Sequence, residues 1–123
     1  MENNESGTIL VVDDNDGLRR MTVMLLERQG YSVIEANSGS EGLERFTEHH
    51  NKVDMVLSDV RMPKMNGMEM VEQILTLDPS VPIMFMTGYN GDSKIPDSVP
   101  VLPKPFTPDL LIQAVRECLA TPS

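Results

Sequence analysis

Short apolar runs alternate with stretches of helical periodicity along most of the chain. The first run, 8–12, is continuously apolar after its first residue, which is typical of a strand buried on both faces of a parallel sheet. Further strands are predicted over 31–36, 53–58, 81–86 and 99–102. Strands that alternate with helices predict an α/β fold, in which helices cover both faces of a parallel sheet.

Apolar stripes and capping residues predict the helices of this fold. The first helix is predicted over 17–29. Its inward-facing residues are predicted to be Leu18, Met21, Leu25 and Leu26. Capping patterns predict that the second helix starts after Ser38 and the third after Asn66, while Pro108 suits the first position of the last helix. Four methionines are predicted to fill the core: Met21, Met55, Met70 and Met84.

The order of the strands follows from the handedness of their connections. Right-handed crossovers favour a doubly wound, five-stranded sheet in the order 2-1-3-4-5. In such sheets the functional site lies at the carboxyl ends of the strands, beside the point where the winding reverses. One domain is predicted over 8–120, preceded by a flexible N-terminal tail over 1–7.

Composition narrows the possible partners and the location. The chain has 123 residues and a formal net charge of -9, which disfavours direct binding to nucleic acid or to anionic membranes. Cys118 is the single cysteine, so no intramolecular disulfide forms. The start of the chain lacks the basic and apolar regions of a signal peptide, and no apolar run is long enough to span a bilayer. A cytoplasmic location is therefore predicted.

Polar residues stand at the strand ends, where a site is expected. Asp13 and Asp14 follow strand one, Asp59 follows strand three, Thr87 follows strand four, and Lys104 comes after strand five. Each residue is ordinary by itself in a turn or on a surface. Because the carboxyl ends of parallel strands meet at one edge of the sheet, we expect the five side chains to converge on one pocket.

Three neighbouring carboxylates require a cation. At ~5 Å and an effective dielectric constant of about 20, each pair repels by about 3 kcal/mol. Magnesium prefers oxygen ligands and binds through one or two carboxylates, whereas softer metals prefer the cysteine and histidine that these strand ends lack. The pattern therefore predicts an Mg²⁺ site, in which an anchored carboxylate such as Asp59 acts as a nucleophile towards phosphorus. Lys104 would add a positive charge and Thr87 a hydrogen bond.

Four motifs in this order resemble the receiver domains of bacterial two-component response regulators. The resemblance covers about residues 8–119. The motifs are Val11-Val12-Asp13-Asp14, Ser58-Asp59-Val60-Arg61-Met62-Pro63 with Asn66-Gly67, Met86-Thr87-Gly88-Tyr89, and Lys104-Pro105-Phe106. The resemblance implies a flavodoxin-like receiver fold and a phosphorylation-controlled signalling function.

The resemblance also implies roles for individual residues. Asp59 would be the phosphorylated residue, and Thr87 with Lys104 would hold the phosphoryl oxygens, with a cis peptide bond after Lys104. Asp14 would bind magnesium directly and Asp13 largely through water. The backbone carbonyl of Arg61 would complete the protein ligands of the metal, together with Asp59. The phosphoryl donor would be a histidine kinase or a histidine phosphotransfer protein.

The chain departs from the receiver pattern in two places. Val101 stands three positions before Lys104, where many receivers have an aromatic residue that turns inward on phosphorylation. Lys104 follows Thr87 by only 17 positions, and the segment 90–98 has no helical stripe, so the fourth helix of the receiver pattern is predicted to be shortened or missing. In this short segment, the chain resembles receivers that are attached to hybrid histidine kinases.

Two other interpretations remain open at this stage. A receiver that only binds partners, without phosphorylation, would tolerate the changes at Val101 and 90–98. A phosphatase or phosphotransferase similar to haloacid dehalogenases would need an aspartate two positions after the nucleophile, where this chain has Arg61. The chain is either a stand-alone receiver or a piece of a longer protein, and the pattern identifies neither its kinase nor its output partner.

Overall fold

Five parallel strands form the centre of the fold. The structure is a computed structural model that describes residues 6–88, 95–96 and 98–120. In chain order the elements are β1 (Thr8–Val12), α1 (Asp16–Arg28), β2 (Ser32–Ala36), α2 (Gly39–His49), β3 (Met55–Asp59), α3 (Gly67–Leu77), β4 (Ile83–Thr87), β5 (Val101–Pro103) and α4 (Pro108–Ala120). The sheet order is β2-β1-β3-β4-β5, which confirms the predicted doubly wound topology.

The last three strands begin and end one or two residues later than their apolar runs predicted. The ladder continues through polar residues, since Asp59 pairs with Met86 and Thr87 pairs with Pro103. Hydrophobicity alone marks where a strand is buried, whereas backbone pairing decides where it ends. As a result, Asp59 and Thr87 belong to β3 and β4 themselves and are held by the sheet.

The two faces of the sheet form two separate hydrophobic clusters. Leu10 and Val12 of β1 point to the cluster that contains buried residues of α2 and α3. Ile9 and Val11 point to the cluster that contains buried residues of α1 and α4. This alternation is the period of two that a strand covered on both faces requires.

The buried face of α1 differs from the predicted one. Met21 is 40% exposed, so its predicted core position is wrong, whereas Met55, Met70 and Met84 are buried as predicted. Thr22 is fully buried in α1 instead, and its hydroxyl donates to the carbonyl of Leu18 at 2.9 Å. Because that hydrogen bond satisfies the hydroxyl, a polar residue occupies a position that a hydrophobicity pattern assigns to its apolar neighbour.

The described part of the chain contains four helices, none of them between β4 and β5. Most of the segment 90–98, for which a shortened or missing helix was predicted, lies outside the described residues, as do 89 and 121–123. Val101, which opens β5, is 40% exposed. None of the helices described is long and apolar enough to cross a membrane.

Two hydrogen bonds hold the chain at the start of β1, where the predicted tail meets the predicted domain. Residues 1–5 lie outside the described ranges. The carbonyl of Gly7 accepts a hydrogen bond from the Ser32 amide at 2.9 Å, and the Thr8 amide donates to Asp54 at 2.8 Å. The flexibility of 1–7 and the domain limits 8–120 stay predictions.

Candidate functional site

Polar side chains from the ends of β1, β3 and β5 meet at one edge of the sheet. The carboxylate oxygens of Asp13, Asp14 and Asp59 lie within 4.8 Å of one another. Asp13 is fully buried and Asp59 is 9% exposed, whereas Asp14 is exposed. Lys104 follows β5 and extends its ammonium group to this cluster. The structure therefore brings together the predicted carboxylates and the predicted lysine, while their roles stay predictions.

The Asp13 carboxylate is held by hydrogen bonds on both oxygens. Its Oδ1 accepts from the amide of Asn15 at 2.9 Å, and its Oδ2 accepts from Lys104 Nζ at 3.3 Å. The Asp13 amide donates to the carbonyl of Ala36 at the end of β2, at 3.1 Å. Asn15 also caps α1 through its side chain, which accepts from the Leu18 amide. The turn after β1 is therefore fixed by contacts from three other segments.

The Asp59 carboxylate faces both a cation and a backbone donor. Lys104 Nζ donates to Oδ2 at 2.9 Å, and the Arg61 amide donates to Oδ1 at 3.3 Å. The side chain of Arg61 is exposed. The use of the Arg61 carbonyl as a metal ligand stays a prediction. The Arg61 amide shows that the backbone of this turn lies beside the Asp59 carboxylate.

The main chain of Lys104 is anchored to the end of β4. Its amide donates to the Thr87 carbonyl at 2.7 Å, and the Lys104-Pro105 peptide bond is cis, as predicted. Thr87 is 6% exposed and ends β4, one residue after Met86, which pairs with Asp59 in the ladder. This contact places the lysine and the threonine next to each other at the candidate site.

Burial and charge shift two titrating groups of the cluster. Burial raises the pKa of Asp13, and the hydrogen bond from Asn15 and the charge of Lys104 only partly oppose that rise. Burial lowers the pKa of Lys104, but its hydrogen bond to Asp59 and the charges of both buried carboxylates outweigh burial, so the pKa is raised overall. The lysine therefore stays positively charged, and its single charge is shared between the carboxylates of Asp13 and Asp59.

The donor set of the cluster fits magnesium. All three side chains present carboxylate oxygens, which hard cations prefer, and the cluster contains no soft ligand. Among the carboxylates of this cluster, Asp13 and Asp59 pair with the ammonium group of Lys104, whereas Asp14 does not. A divalent cation bound to these oxygens would offset the charge that the lysine leaves uncompensated.

Two contacts of the site were not predicted from the sequence. Arg19 of α1 donates to the main-chain carbonyl of Asp13 at 3.0 Å. Gly67, the first residue of α3, lies so close to the Asp59 carbonyl that a side chain at this position would overlap with it. Neither contact has a signal in the hydrophobic pattern, although the Asn66-Gly67 motif marked the second position. Tyr89, which belongs to the third motif, lies outside the described residues.

A separate groove of about 690 Å³ lies away from the carboxylates. It is lined at the amino ends of β4 and β5 by residues such as Val81, Pro82 and Pro100, and along α4 by Ala114 and Cys118. None of the candidate site residues lines it. The polar cluster and the groove are thus distinct features of the surface.

Comparison with known proteins agrees with this geometry. The family model of the response regulator receiver domain matches residues 9–116. The transcriptional regulatory protein GlrR of Escherichia coli K12 is 37% identical over 119 residues, which cover 90% of this chain and 26% of GlrR. The chain therefore spans about a quarter of the length of this relative.

Two other relatives match over nearly their whole length. The response regulator receiver protein CpdR of Brucella abortus is 34% identical over 116 residues, which cover 90% of this chain and 95% of CpdR. The crystal structure of the receiver domain from the hybrid histidine kinase CckA superposes with a TM-score of 0.82 at 34% identity, covering 92% of this chain and 99% of that one. The chain therefore belongs to the response regulator receiver domains, the aspartate-phosphorylated receivers of two-component signalling.

Proposed function

We propose that Asp59 is the phospho-acceptor of this receiver and that its phosphorylation depends on Mg²⁺. The observation that carries the proposal is the position of its carboxylate, 2.9 Å from Lys104 Nζ and within 4.8 Å of the carboxylate oxygens of Asp13 and Asp14. Asp59 is anchored at the end of β3 and keeps 9% of its surface exposed. A phosphorylated partner side chain can therefore approach it from solvent.

The transfer step exchanges one bond to phosphorus for another. An oxygen of the Asp59 carboxylate attacks the phosphorus of a phosphohistidine, and an acyl phosphate forms as the P–N bond breaks. The leaving imidazole takes the electron pair of that bond and a proton from solvent. Phosphoryl transfer of this kind depends mainly on position and on neutralised oxygen charge, both of which the cluster offers.

The neighbouring residues divide the remaining tasks. Asp13, Asp14, Asp59 and the carbonyl of Arg61 would hold the magnesium ion. The bound ion supplies positive charge to the phosphoryl oxygens. Lys104 supplies a second positive charge, and the Thr87 hydroxyl supplies a hydrogen bond.

Phosphorylation changes the charge that Lys104 faces. The side chain of Asp59 goes from -1 to about -2, with three new acceptor oxygens. Lys104, now shared between Asp13 and Asp59, gains a stronger partner on the phosphoryl group. Because its amide is bonded to the end of β4, a shift of Lys104 changes the surface around β4 and β5 and so alters partner binding.

The activity is confined to the chain itself. The receiver would catalyse its own phosphorylation and dephosphorylation, and it is not an enzyme that turns over a free metabolite. Arg61, two residues after Asp59, has no carboxyl group and cannot act as the general acid of a haloacid-dehalogenase mechanism. This supports a signalling function over a phosphatase.

The partners follow from the same chemistry. The donor would be a histidine kinase or a histidine phosphotransfer protein, and the phosphorylated form would bind an output partner. The acidic chain, with its net charge of -9, is expected to act in the cytoplasm without direct contacts to nucleic acid or membrane. The short segment before β5 is similar to that of receivers attached to hybrid histidine kinases, and a stand-alone receiver is the alternative.

A mass measurement tests the proposal. With Mg²⁺ and acetyl phosphate, the chain is expected to gain the mass of one phosphoryl group, and EDTA should prevent the gain. Asp59→Asn should stay unmodified. Asp54→Asn is the matched control, because Asp54 accepts the Thr8 amide just before β3, at the opposite end of that strand from Asp59, and should leave the gain unchanged. A chain that gains no mass from any phosphodonor would instead be a receiver that only binds partners.

A further inference from the structure

Arg19 is a nearly buried charged residue for which the proposed function gives no role. Its side chain is 11% exposed and lies in the first turns of α1. Nη1 donates to the carbonyl of Asp13 at 3.0 Å and contacts the Asp16 carboxylate at 2.8 Å. Nε donates to Glu35 of β2 at 3.0 Å. One guanidinium group thus joins α1, β2 and the turn that carries the acidic pair.

The bond to the Asp13 carbonyl acts on both residues of the acidic pair. That carbonyl belongs to the peptide group that joins Asp13 to Asp14, and a peptide group is planar. A donor on its oxygen therefore restricts the main-chain rotation that directs the Asp14 side chain. Asp14 needs such a restraint, because it is exposed, whereas the Asp13 carboxylate is already held by Asn15 and Lys104.

The same contacts close a ring around the turn. Glu35 binds the Arg19 guanidinium, and the next residue of β2, Ala36, accepts the Asp13 amide at 3.1 Å. Both backbone groups of Asp13 are thereby tied to β2, one directly and one through Arg19. A turn fixed at both ends holds its side chains in a narrow range of directions.

The local charge balance indicates that Arg19 acts through geometry. Its positive charge lies between the carboxylates of Asp16 and Glu35, which already outnumber it. It therefore adds little net attraction for anions or repulsion for cations at the site. Its planar fork serves three acceptors in fixed directions, which the single ammonium group of a lysine cannot reproduce.

We propose that Arg19 is a positioning residue for the magnesium site, which orients the Asp13–Asp14 carboxylates by holding the Asp13 carbonyl. The inference rests on the proposed function, since it assumes that these carboxylates bind magnesium. Magnesium requires near-ideal octahedral geometry, whereas calcium accepts flexible and irregular ligand sets. Loosening the turn should therefore weaken magnesium binding more than calcium binding.

Calorimetric titration of the whole, unphosphorylated chain with Mg²⁺ and separately with Ca²⁺ tests this role. Arg19→Gln is expected to weaken Mg²⁺ binding about 10-fold or more, as loss of an outer-shell partner does in other metal sites. Ca²⁺ binding should weaken clearly less. Arg19→Lys should show most of the same loss, because it keeps the charge but not the fork. Circular dichroism checks that each variant is folded.

Arg45→Gln is the matched control. Arg45 also forms two ion pairs, with Glu41 and Glu48, but it lies on α2, on the other face of the sheet. Its replacement should leave both ion affinities within twofold of those of the unmodified chain. If Arg19→Gln does not fold, Arg19→Lys and Glu35→Gln decide the question, the latter with a smaller loss of the same selectivity.

Two results would overturn the positioning role. One is an Mg²⁺ affinity of the folded Arg19 variants within twofold of the unmodified chain. The other is an equal loss for both ions, which would indicate a general effect on charge or stability. Absence of Mg²⁺ binding to the unmodified chain would be a different failure, because it would contradict the proposed metal site itself.

Discussion

At the scale of single residues, the chemistry of the site conflicts with the stability of the fold. Burial raises the pKa of Asp13 above its usual value of 3.8, so the folded chain binds the proton more tightly than the unfolded chain. The stability contributed by the protonated form is fully present below pH 3.8 and is lost as the pH rises through the folded pKa. Without metal, ionisation of Asp13 as the pH rises therefore lowers the free energy of unfolding.

Asp13→Asn is accordingly expected to stabilise the metal-free chain. In EDTA at pH 7 its Tm should be several degrees higher than that of the unmodified chain, and the difference should shrink as the pH falls towards 3.8. Excess Mg²⁺ should reverse the order, because only the unmodified chain keeps the full ligand set and gains stability by binding the ion. Thermal unfolding followed by circular dichroism measures both effects. A lower Tm of the variant in EDTA would contradict the argument.

Residues whose position depends on side-chain hydrogen bonds to the main chain were the hardest to predict from the sequence. Asp59 and Lys104 could be identified because each follows an apolar run, and the sheet order then places them together. Arg19 could not, because its role depends on the path of the turn after β1. Met21 was predicted to be buried in place of Thr22, because a hydrophobicity pattern does not show that a hydroxyl forms a hydrogen bond within its own helix.

At the scale of elements, the start of α3 is packed directly against the end of β3, the strand that carries Asp59. Gly67 donates its amide to the Val60 carbonyl at 2.8 Å, and an added Cβ would overlap with the Asp59 carbonyl. The overlap involves backbone on both sides, so a side-chain rotation cannot relieve it. Either α3 or the end of β3 must move.

Gly67→Ala is therefore expected to destabilise the chain by about 1–3 kcal/mol, the usual cost of overpacking. It should also slow phosphorylation by acetyl phosphate, because the end of β3 carries Asp59. Gly88→Ala is the matched control at the end of β4, where an added Cβ has no neighbour within 4 Å among the described residues. Urea denaturation and the mass assay measure the two effects. Equal stabilities of the two variants would show that α3 adjusts freely.

Element existence and order followed from the sequence more closely than element limits did. The alternation of strands and helices predicted β2-β1-β3-β4-β5, and capping residues located the starts of α2 and α3. The limits of β3 and β4 were wrong by one or two residues, because backbone pairing extends through Asp59 and Thr87. That extension matters for function, since it places both residues on the sheet.

At the scale of the whole molecule, the site combines residues from buried central strands with a residue that follows a short edge strand. β1 and β3 have a neighbour on each side, and nearly all of their residues are buried. β5 has three residues, lies at the edge of the sheet and exposes Val101 and Pro103. Lys104, the cation of the site, directly follows this short edge strand. The carboxylates are therefore held by the central strands of the sheet, whereas the lysine is held at the edge of the sheet.

This asymmetry predicts where phosphorylation changes the dynamics of the chain. In the metal-free state, the amides of Leu102 and Lys104 should exchange with solvent at least about 100-fold faster than those of Leu10 and Val56, since edge strands open locally without global unfolding. Mg²⁺ with beryllofluoride, which replaces the phosphoryl group on Asp59, should slow exchange in β5, because Lys104 gains a charged partner. Hydrogen exchange followed by NMR measures each amide. Asp59→Asn should show no slowing. A β5 whose amides are as protected as those of β1 before activation would contradict the proposal that phosphorylation alters the surface around β4 and β5.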